Sequence, residues 1–235
     1  LMNDLFQSLS KKKETDYSAK DIEVLEGLEP VRRRPGMYIG GTDQQAMHHL
    51  VAEVLDNSMD EAVAGHANRI ELHLTKDQSV IVTDNGRGIP VDPHPKFKNK
   101  SALEVILTTL HAGGKFSDNV YSTSGGLHGV GISVVNALSD NLNVEIARDQ
   151  RLFSQQFKQG VACSGLIDQG PVRNRRGTKI CFHPDPEIFG KNLKFKPSTL
   201  YQMAKSKAYL FRGVEIRWSC DTELIVSDPK TPNAE

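Results

Sequence analysis

The stretch SGGLHGVG, residues 124–131, places four glycines in eight positions, directly before an apolar pattern that predicts a helix over 129–138. Glycine destabilises regular elements, so this density indicates a backbone that bends sharply or comes close to another group. Free N–H groups at a helix N-terminus, together with the helix dipole, bind anions such as phosphates. The spacing matches neither GxxxxGK[ST] nor GxGxxG, which excludes a Walker loop and a dinucleotide fingerprint. Close packing of the helix is the alternative role for these glycines.

A second signal lies upstream, where residues 44–64 have the clearest helical periodicity of the chain. Glu53 and Asn57 are four residues apart and therefore project from one helix face, about one turn from each other. A carboxylate beside a carboxamide can polarise a water and hold a hard cation through oxygen. The same helical wheel places Asp60 on the polar face and Val63 on the apolar face. A solvated face without chemistry is the alternative interpretation.

The third signal is DNGRGIP, residues 84–90, which follows two strand-like runs, IELHLT and SVIVTD. Asn-Gly is a strong hairpin-turn signal, so a tight turn is one interpretation. In the other interpretation, Asp84 presents an outward carboxylate at the end of the strand, while Gly86 and Gly88 clear space beside it. A carboxylate only accepts hydrogen bonds, which suits an exocyclic amino group such as that of adenine.

Composition and element order restrict the class of protein. The 235 residues are 38% hydrophobic and 25% charged, as in an ordinary globular protein, and the formal net charge of zero argues against nucleic-acid binding over the whole surface. Three scattered cysteines indicate neither a disulfide framework nor a metal site and fit a cytoplasmic location. Helices and strands alternate without regular βαβ units, which predicts an α+β fold with a mixed, mostly antiparallel sheet and helices on one face.

Taken together and in this order, the three signals resemble the ATP-binding fold shared by DNA gyrase, Hsp90, MutL and histidine kinases, a two-layer sandwich. The resemblance narrows to the B subunits of bacterial type II topoisomerases and extends from about residue 17 to residue 220. The segments that carry it are RRRPGMYIG, EVLDNSMDEA, DNGRGIPVD, LHAGGKF and SGGLHGVGISVVNALS. Two further segments, GLEPVRRRPGMY and KAYLFRGVEI, are more similar to the topoisomerase IV branch than to the gyrase branch.

The resemblance implies a role for each matching residue. Glu53 falls on the general base of the family, and Asn57 falls on its Mg²⁺ ligand. Asp84 falls on the acceptor of the adenine amino group, and Thr178, in RRGT, on a threonine that supports this contact. The other residues implied to contact ATP are Tyr17, Arg87, Gly88, Ile89, Pro90, Lys115, Tyr121, Gly126, Leu127, His128, Gly129, Val130, Gly131 and Arg148.

Two departures from the family pattern affect this expectation. The loop HPKFKNK carries basic residues where relatives often carry acidic ones, and no QTK sequence supplies the lysine that completes the family's active site. The resemblance therefore implies an ATPase domain of a larger subunit that binds Mg-ATP but hydrolyses it slowly alone. The expected organisation is a mobile arm over 1–16, an ATP-binding domain over 17–226 and a frayed tail over 227–235 that leads to a transducer domain.

For the whole subunit, the resemblance implies ATP-driven dimer closure and DNA strand passage, with decatenation or relaxation as the outcome and gyrase-type supercoiling as the alternative. The implied partners are DNA, the A-type cleavage subunit, a second copy of the subunit and competitive inhibitors of the ATP site, with no membrane. The rivals are a chaperone or mismatch-repair clamp of the same fold, a histidine-kinase phosphotransfer module and a non-catalytic nucleotide sensor. The GGLHGVG and HAGGKF segments disfavour the chaperone, the lack of a convincing phosphoacceptor helix disfavours the kinase, and Glu53 disfavours the sensor.

Overall fold

The computed structural model describes residues 26–110 and 131–228, together with residue 230. Its helices are α1 (Glu29–Arg33), α2 (Gly36–Ile39), α3 (Gln44–Val63), α4 (Ala102–Thr108), α5 (Gly131–Ala137), α6 (Pro186–Phe189), α7 (Pro197–Leu210) and α8 (Thr222–Ser227). Its strands are β1 (Arg69–Leu74), β2 (Val80–Asp84), β3 (Pro93–His94), β4 (Phe97–Ser101), β5 (Ser139–Arg148), β6 (Arg151–Lys158), β7 (Val161–Ala162), β8 (Ile167–Pro171), β9 (Gly177–Pro184) and β10 (Glu215–Cys220). No helix in these described ranges is long and apolar enough to cross a membrane.

The main sheet has eight strands in the order β10-β1-β2-β9-β5-β6-β7, and β8 pairs with β6 outside this path. Strand β10 runs parallel to β1, whereas the other pairings in the sheet are antiparallel. A separate hairpin is formed by β3 and β4. The predicted α+β class with a mixed, mostly antiparallel sheet is thus confirmed.

Strand alternation separates the two faces of this sheet, since successive side chains point to opposite sides. One row across four neighbouring strands is buried beneath the helices: Leu72, Val82, Ile180 and Val144. The adjacent row lies on the opposite, open face and is polar: Glu71, Thr83, Lys179 and Glu145. Apolar burial therefore holds α3 against one face of the sheet, while this row of the other face carries charged and polar side chains.

Helix α3 is the long helix that the periodicity predicts. Its N-cap is Asp43, whose Oδ1 accepts a hydrogen bond from Ala46 N at 2.8 Å, and the chain leaves the helix through Gly65 at a φ of +79°. Two positions on the predicted helical wheel are wrong: Asp60 is buried, and Val63 is 40% exposed. The helix packs on β1, β2 and β9 and also contacts α5 and α7. Its buried surface is therefore wider than the single apolar stripe that the helical wheel assumes.

The C-terminal end of α5 is held by Arg32 of α1. Its Nη1 donates to Ala137 O at 2.8 Å and lies 2.8 Å from Oδ2 of the buried Asp185. Burial would raise the pKa of Asp185, but hydrogen bonds from Glu187 N and from the Gln159 and Arg32 side chains outweigh it and lower the pKa. Arg32 and Asp185 thus connect α1, the C-terminal end of α5 and the start of α6. Gly131, at the other end of α5, is positioned by the same helix.

The remaining differences from the predicted elements are short ones. The apolar residues between 101 and 111 predict a helix, and α4 occupies only the first part of this range, ending at Thr108 with Ser101 as its N-cap. The sequence predicts a loop after Pro30, but α1 and α2 form there, with Pro30 in the first turn of α1. The other elements that it does not predict are all short: the β3–β4 hairpin, β7, β8, α6 and α8. The expected arm over 1–16 lies outside the described residues.

Candidate nucleotide-binding site

Asp84 is the last residue of β2 and faces the helices, on the same side of the strand as Val80 and Val82. Its carboxylate is buried rather than outward as predicted, with 3% of the residue exposed. Oδ1 accepts hydrogen bonds from Gly86 N at 2.9 Å and Thr178 N at 3.3 Å, and Oδ2 accepts one from Ser58 Oγ at 3.0 Å. An ionised carboxylate can accept about four hydrogen bonds. Among the described residues three are made, which leaves acceptor capacity on Oδ2.

The environment of Asp84 also shifts its protonation. Burial raises the pKa of the carboxyl, the hydrogen bonds from Gly86, Ser58 and Thr178 lower it, and the charge of Glu61 raises it; the net pKa is above the ordinary aspartate value. A buried carboxylate with a raised pKa and unused acceptor capacity is typical of a functional position.

Strand β9 meets the end of β2 at Gly177 and Thr178. Gly177 has a φ of +115°, and a Cβ there would lie 2.7 Å from the carbonyl carbon of Asp84 and 2.8 Å from Asn85 Cα. Only glycine allows this approach. The approach delivers the N–H of Thr178 to the Asp84 carboxylate, while the Thr178 hydroxyl accepts from Ile89 N at 3.3 Å. The fold therefore brings Asp84 and Thr178 into direct contact, and their joint role towards adenine stays a prediction.

The segment after Asp84 is not a hairpin turn. The side chain of Asn85 instead caps the start of β1, with Oδ1 accepting from Asn68 N and Arg69 N at 3.0 Å each. The chain then continues as a loop towards the β3–β4 hairpin. Asn85 thus fixes the loop to the sheet, and the tight-turn interpretation of DNGRGIP is wrong.

Glu61 of α3 holds the next part of the loop. Its carboxylate accepts from Arg87 N at 2.9 Å and from the Arg87 guanidinium at 3.2 and 2.7 Å. Gly86 lies between two carboxylates, because a Cβ at this position would be 2.8 Å from Glu61 Oε2 and 2.9 Å from Asp84 Oδ1. The glycines of this loop therefore admit carboxylates close to the backbone.

Gly88 and Arg148 connect the loop to β5. Gly88 has a φ of +80°, and a Cβ there would lie 3.0 Å from Ile146 Cγ2. Arg148 Nη1 donates to Gly88 O at 2.9 Å. Beyond this contact, Ile89 packs against the core and Pro90 is exposed. Predicted residues Arg87, Gly88, Ile89, Pro90 and Arg148 thus belong to one loop and its support.

The second predicted cluster lies further along α3. Glu53 and Asn57 are half-buried, one helical turn apart. Gly131, the first residue of α5, lies against Glu53, because a Cβ on it would come within 3.0 Å of the Glu53 carboxyl carbon and 3.1 Å of its Cβ. The glycine stretch and the acidic helix, 78 residues apart in the chain, therefore meet at the predicted general base.

Both clusters lie on one side of α3. Glu53, Asn57 and Glu61 are spaced by four residues and form one stripe, and Ser58 lies beside it. At 1.5 Å per residue, Glu53 and Glu61 are separated by about 12 Å along the helix. Helix α3 therefore aligns the Gly131 end of the site with the Asp84 end.

The other predicted contact residues lie outside the described ranges and stay predictions: Tyr17, Lys115, Tyr121, Gly126, Leu127, His128, Gly129 and Val130. In the described ranges, no group of three or more His, Cys, Asp or Glu side chains is placed to hold a metal ion. Sequence reasoning missed Ser58 and Glu61 as site residues. Their position one turn or less from the Glu53–Asn57 stripe was the available signal.

A comparison with protein families identifies this arrangement. Residues 42–188 match the family described as "Histidine kinase-, DNA gyrase B-, and HSP90-like ATPase". The chain belongs to this ATPase family. The matched range includes α3, the loop after Asp84, Gly131 and Thr178.

Relatives within this ATPase family are similar over most of the chain. The DNA topoisomerase 4 B subunit of Rickettsia typhi is 60% identical over 97% of this chain and 35% of its own length. Its counterpart in Caulobacter vibrioides is 62% identical over 93% and 31%, and the DNA gyrase B subunit of Staphylococcus aureus is 51% identical over 89% and 32%. The chain spans about a third of the length of these relatives. The resemblance to the B subunits of type II topoisomerases is thereby confirmed.

A solved structure supports the same fold. The 43K ATPase domain of Thermus thermophilus gyrase B, in complex with an aminocoumarin, superposes with a TM-score of 0.73 at 44% identity. The superposition covers 82% of this chain and 48% of that one. The gyrase-type ATPase fold expected from the motifs is therefore present.

Proposed function

We propose that this chain is the ATP-binding and hydrolysing domain of a type II topoisomerase B subunit of the topoisomerase IV kind. The observation that carries the proposal is the buried Asp84 carboxylate, held by Ser58 and Thr178 with acceptor capacity left on Oδ2. A purine amino group supplies the donor that this acceptor lacks. Thr178 and the loop from Arg87 to Pro90, supported by Arg148, line the adenine end.

The phosphate end of the proposed site lies at Gly131 and Glu53. Glycine at position 131 leaves the start of α5 open beside the carboxylate, where a side chain would collide with it. Lys115, Tyr121, the segment from Gly126 to Val130 and Tyr17 complete this end in the proposal. Glu53 orients the water that attacks the γ-phosphorus and accepts its proton at a carboxylate oxygen, while the bond from that phosphorus to the bridging oxygen breaks and ADP leaves with phosphate as the other product.

Mg²⁺ is the cofactor in this proposal. Asn57 offers a neutral side-chain oxygen one turn from Glu53, which suits a hard cation that keeps most of its ligands from phosphates and water. When bound, Mg²⁺ neutralises charge on the transferred phosphate. The donor set of this chain fits such an ion only as part of a Mg-ATP complex.

For the whole subunit, we propose ATP-driven closure of a dimer around DNA, with an A-type cleavage subunit as partner and decatenation or relaxation as the result, in the cytoplasm. We also propose the domain organisation that the sequence suggests, with an arm over 1–16, an ATP-binding domain over 17–226 and a tail over 227–235. The higher identity to topoisomerase 4 subunits, 60% against 51% for gyrase B, favours decatenation over supercoiling. Decatenation and supercoiling assays of the full-length subunit with its cleavage partner distinguish the two.

Glu53→Gln tests the chemistry, because it keeps the shape beside Gly131 but removes the base. General-base catalysis contributes about 10²–10⁴-fold, so we expect the slow ATPase rate to fall by about that factor while ATP affinity changes little. Asp56→Asn is the matched control on the same helix, since that carboxylate is engaged by Lys207. Equal loss of binding and hydrolysis in Glu53→Gln would make Glu53 a binding or folding residue and contradict the proposal.

A further inference from the structure

A polar cavity opens at the end of the sheet, where Arg69, Glu71 and Thr83 of its face away from the helices line it. It has a volume of about 740 Å³ and is walled by the start of β1, the end of β2 and the connection between β8 and β9. Four arginines line it: Arg69, Arg173, Arg175 and Arg176. One acidic residue of the open face, Glu71, also lines it, and Asp84, Gly177 and Thr178 contribute where β2 and β9 end. This open-face pocket is therefore cationic, although the chain as a whole has a formal net charge of zero.

The four arginines differ in whether a carboxylate pairs with them. Arg175 pairs with Glu145, and Arg69 Nε lies 3.4 Å from Glu71 Oε1. Arg173 and Arg176 are exposed, and within the described part of the chain neither has a carboxylate within the 4.0 Å of an ion pair. Two guanidinium groups in one cavity thus keep their full charge, which an anion of the right shape would neutralise.

Arg176 is held in place without being neutralised. Its Nε donates to Gly86 O at 2.8 Å and its Nη2 donates to His66 O at 2.8 Å. A guanidinium has five N–H donors, so three remain after these two bonds. Ordering against two carbonyls means that less side-chain entropy is lost when an anion binds. Arg176 is thus a preformed donor group at the edge of the open-face pocket.

We propose that the open-face pocket binds backbone phosphates of duplex DNA through Arg173 and Arg176. Arginine is suited to phosphate oxygens because its planar fork donates two hydrogen bonds at once. An open cavity with exposed arginines suits a long polyanion that passes over the surface. The inference rests on the proposed topoisomerase function, which brings DNA to this subunit. It also places the contact beside the loop after Asp84, since Arg176 donates to Gly86 O and Gly86 N donates to Asp84.

Arg173→Ala tests the inference, because the Arg173 side chain makes no hydrogen bond or ion pair within the described part of the chain. The assay is fluorescence anisotropy of a short labelled duplex with this 235-residue chain, titrated between about 50 and 200 mM salt. We expect the duplex to bind weakly and the variant to weaken binding by about 3- to 10-fold at the lowest salt. The slope of log K against log salt should fall by about 0.9, the value for one lost phosphate contact.

Arg217→Ala is the matched control. Arg217 also lies on the open face and carries the same charge, but Glu215 at 2.7 Å and Glu71 at 3.6 Å already engage it. We expect this variant to change duplex binding by less than about twofold, with no change in the salt slope. Equal effects of the two variants would mean that only net charge matters and would overturn the proposed pocket.

Two further measurements separate this inference from the ATPase proposal and from another phosphate source. ATP affinity is measured by calorimetry on the same samples and should be unchanged in Arg173→Ala. If the wild-type chain binds ATP but no duplex, the DNA inference fails and the ATPase proposal stands. If it binds no ATP, the ATPase proposal itself is contradicted. If Arg173→Ala weakens inorganic tripolyphosphate but not duplex, the pocket takes nucleotide phosphates and the DNA inference is overturned.

Discussion

Replacing Asp84 by asparagine should weaken the proposed contact with adenine without removing the hydrogen bonds that hold this side chain in the fold. Oδ1 of the new side chain can still accept from Gly86 N and Thr178 N, and Nδ2 can donate to Ser58 Oγ, because a hydroxyl also accepts. The variant therefore keeps two hydrogen bonds of the native carboxylate and replaces the third by one of reversed direction. What changes is the free position beside Ser58, which turns from an acceptor into a donor.

The expected loss of ATP affinity follows from this single exchange. A hydrogen bond to a charged group contributes about 1.5–3 kcal/mol, and each 1.4 kcal/mol is tenfold in affinity, so Asp84→Asn should weaken ATP binding by about 10- to 150-fold. Two donors would also face each other, which places the result towards the upper end. Calorimetry or competition with a fluorescent nucleotide measures it.

Stability should behave differently in the same variant. Because the pKa of Asp84 is raised in the folded state, ionising it opposes folding as pH rises from the ordinary aspartate value, about 3.9, through the raised value. Asparagine has no such cost. The stability of Asp84→Asn relative to wild type should therefore be greater at neutral pH than below about pH 4. Thermal melts of both proteins at the two pH values would measure this difference.

Asp77→Asn is the matched control for this experiment. Asp77 lies in the exposed turn between β1 and β2, where it accepts from Thr75 and from Ser79 Oγ at 2.9 Å. The same substitution at the far end of β2 should leave ATP affinity unchanged. If Asp84→Asn melts like wild type and still binds ATP within about threefold, Asp84 does not accept from the base and the adenine assignment is refuted.

Two further substitutions test the backbone and the frame around the site. Gly177→Ala should cost more in urea unfolding than Gly170→Ala by at least about 2 kcal/mol, because both glycines have positive φ but only Gly177 has backbone atoms where a Cβ would go; equal costs would show that close approach is not the reason for glycine. Arg32→Met should destabilise the fold by about 1.5–3 kcal/mol through its buried partner Asp185, against at most about 0.5 kcal/mol for Arg33→Met in an exposed pair. Since the pKa of Asp185 is lowered by folding, the Arg32→Met effect should be complete above about pH 4 and shrink as pH falls through the folded pKa; chemical denaturation over this pH range would measure it, and an effect independent of pH would contradict the pairing.

The elements that the sequence predicts well are those with an unambiguous period or cap. Val80 and Val82 alternate with half-buried partners along β2, and the helix that begins after Asp43 repeats its apolar positions over five turns. Strand β8 has no such signal. It lies at the side of the sheet, pairs with β6 and with no other strand of the described ranges, and has no buried residue. Without one buried face, a strand leaves no alternation to detect.

The wheel of α3 failed for a different physical reason. A periodicity argument assumes that polar residues face water, yet Ser58 and Asp60 are buried. Ser58 is buried because its hydroxyl meets the Asp84 carboxylate, 26 residues further along the chain. Polar residues that serve a site are hidden by their partners, and a sequence pattern cannot distinguish them from a solvated face until the partner is known.

The sequence also could not identify the groups that lie close to the backbone at the glycines. Glycine in DNGRGIP and SGGLHGVG indicated that something comes near, but not what it is. In the fold, Gly86 makes room for the carboxylates of Glu61 and Asp84, and Gly131 makes room for Glu53. Each of these glycines therefore clears the backbone for an acid that α3 carries or faces. A side chain at either position would displace the acid before it met any ligand, so loss of function there would report on carboxylate placement as much as on phosphate access.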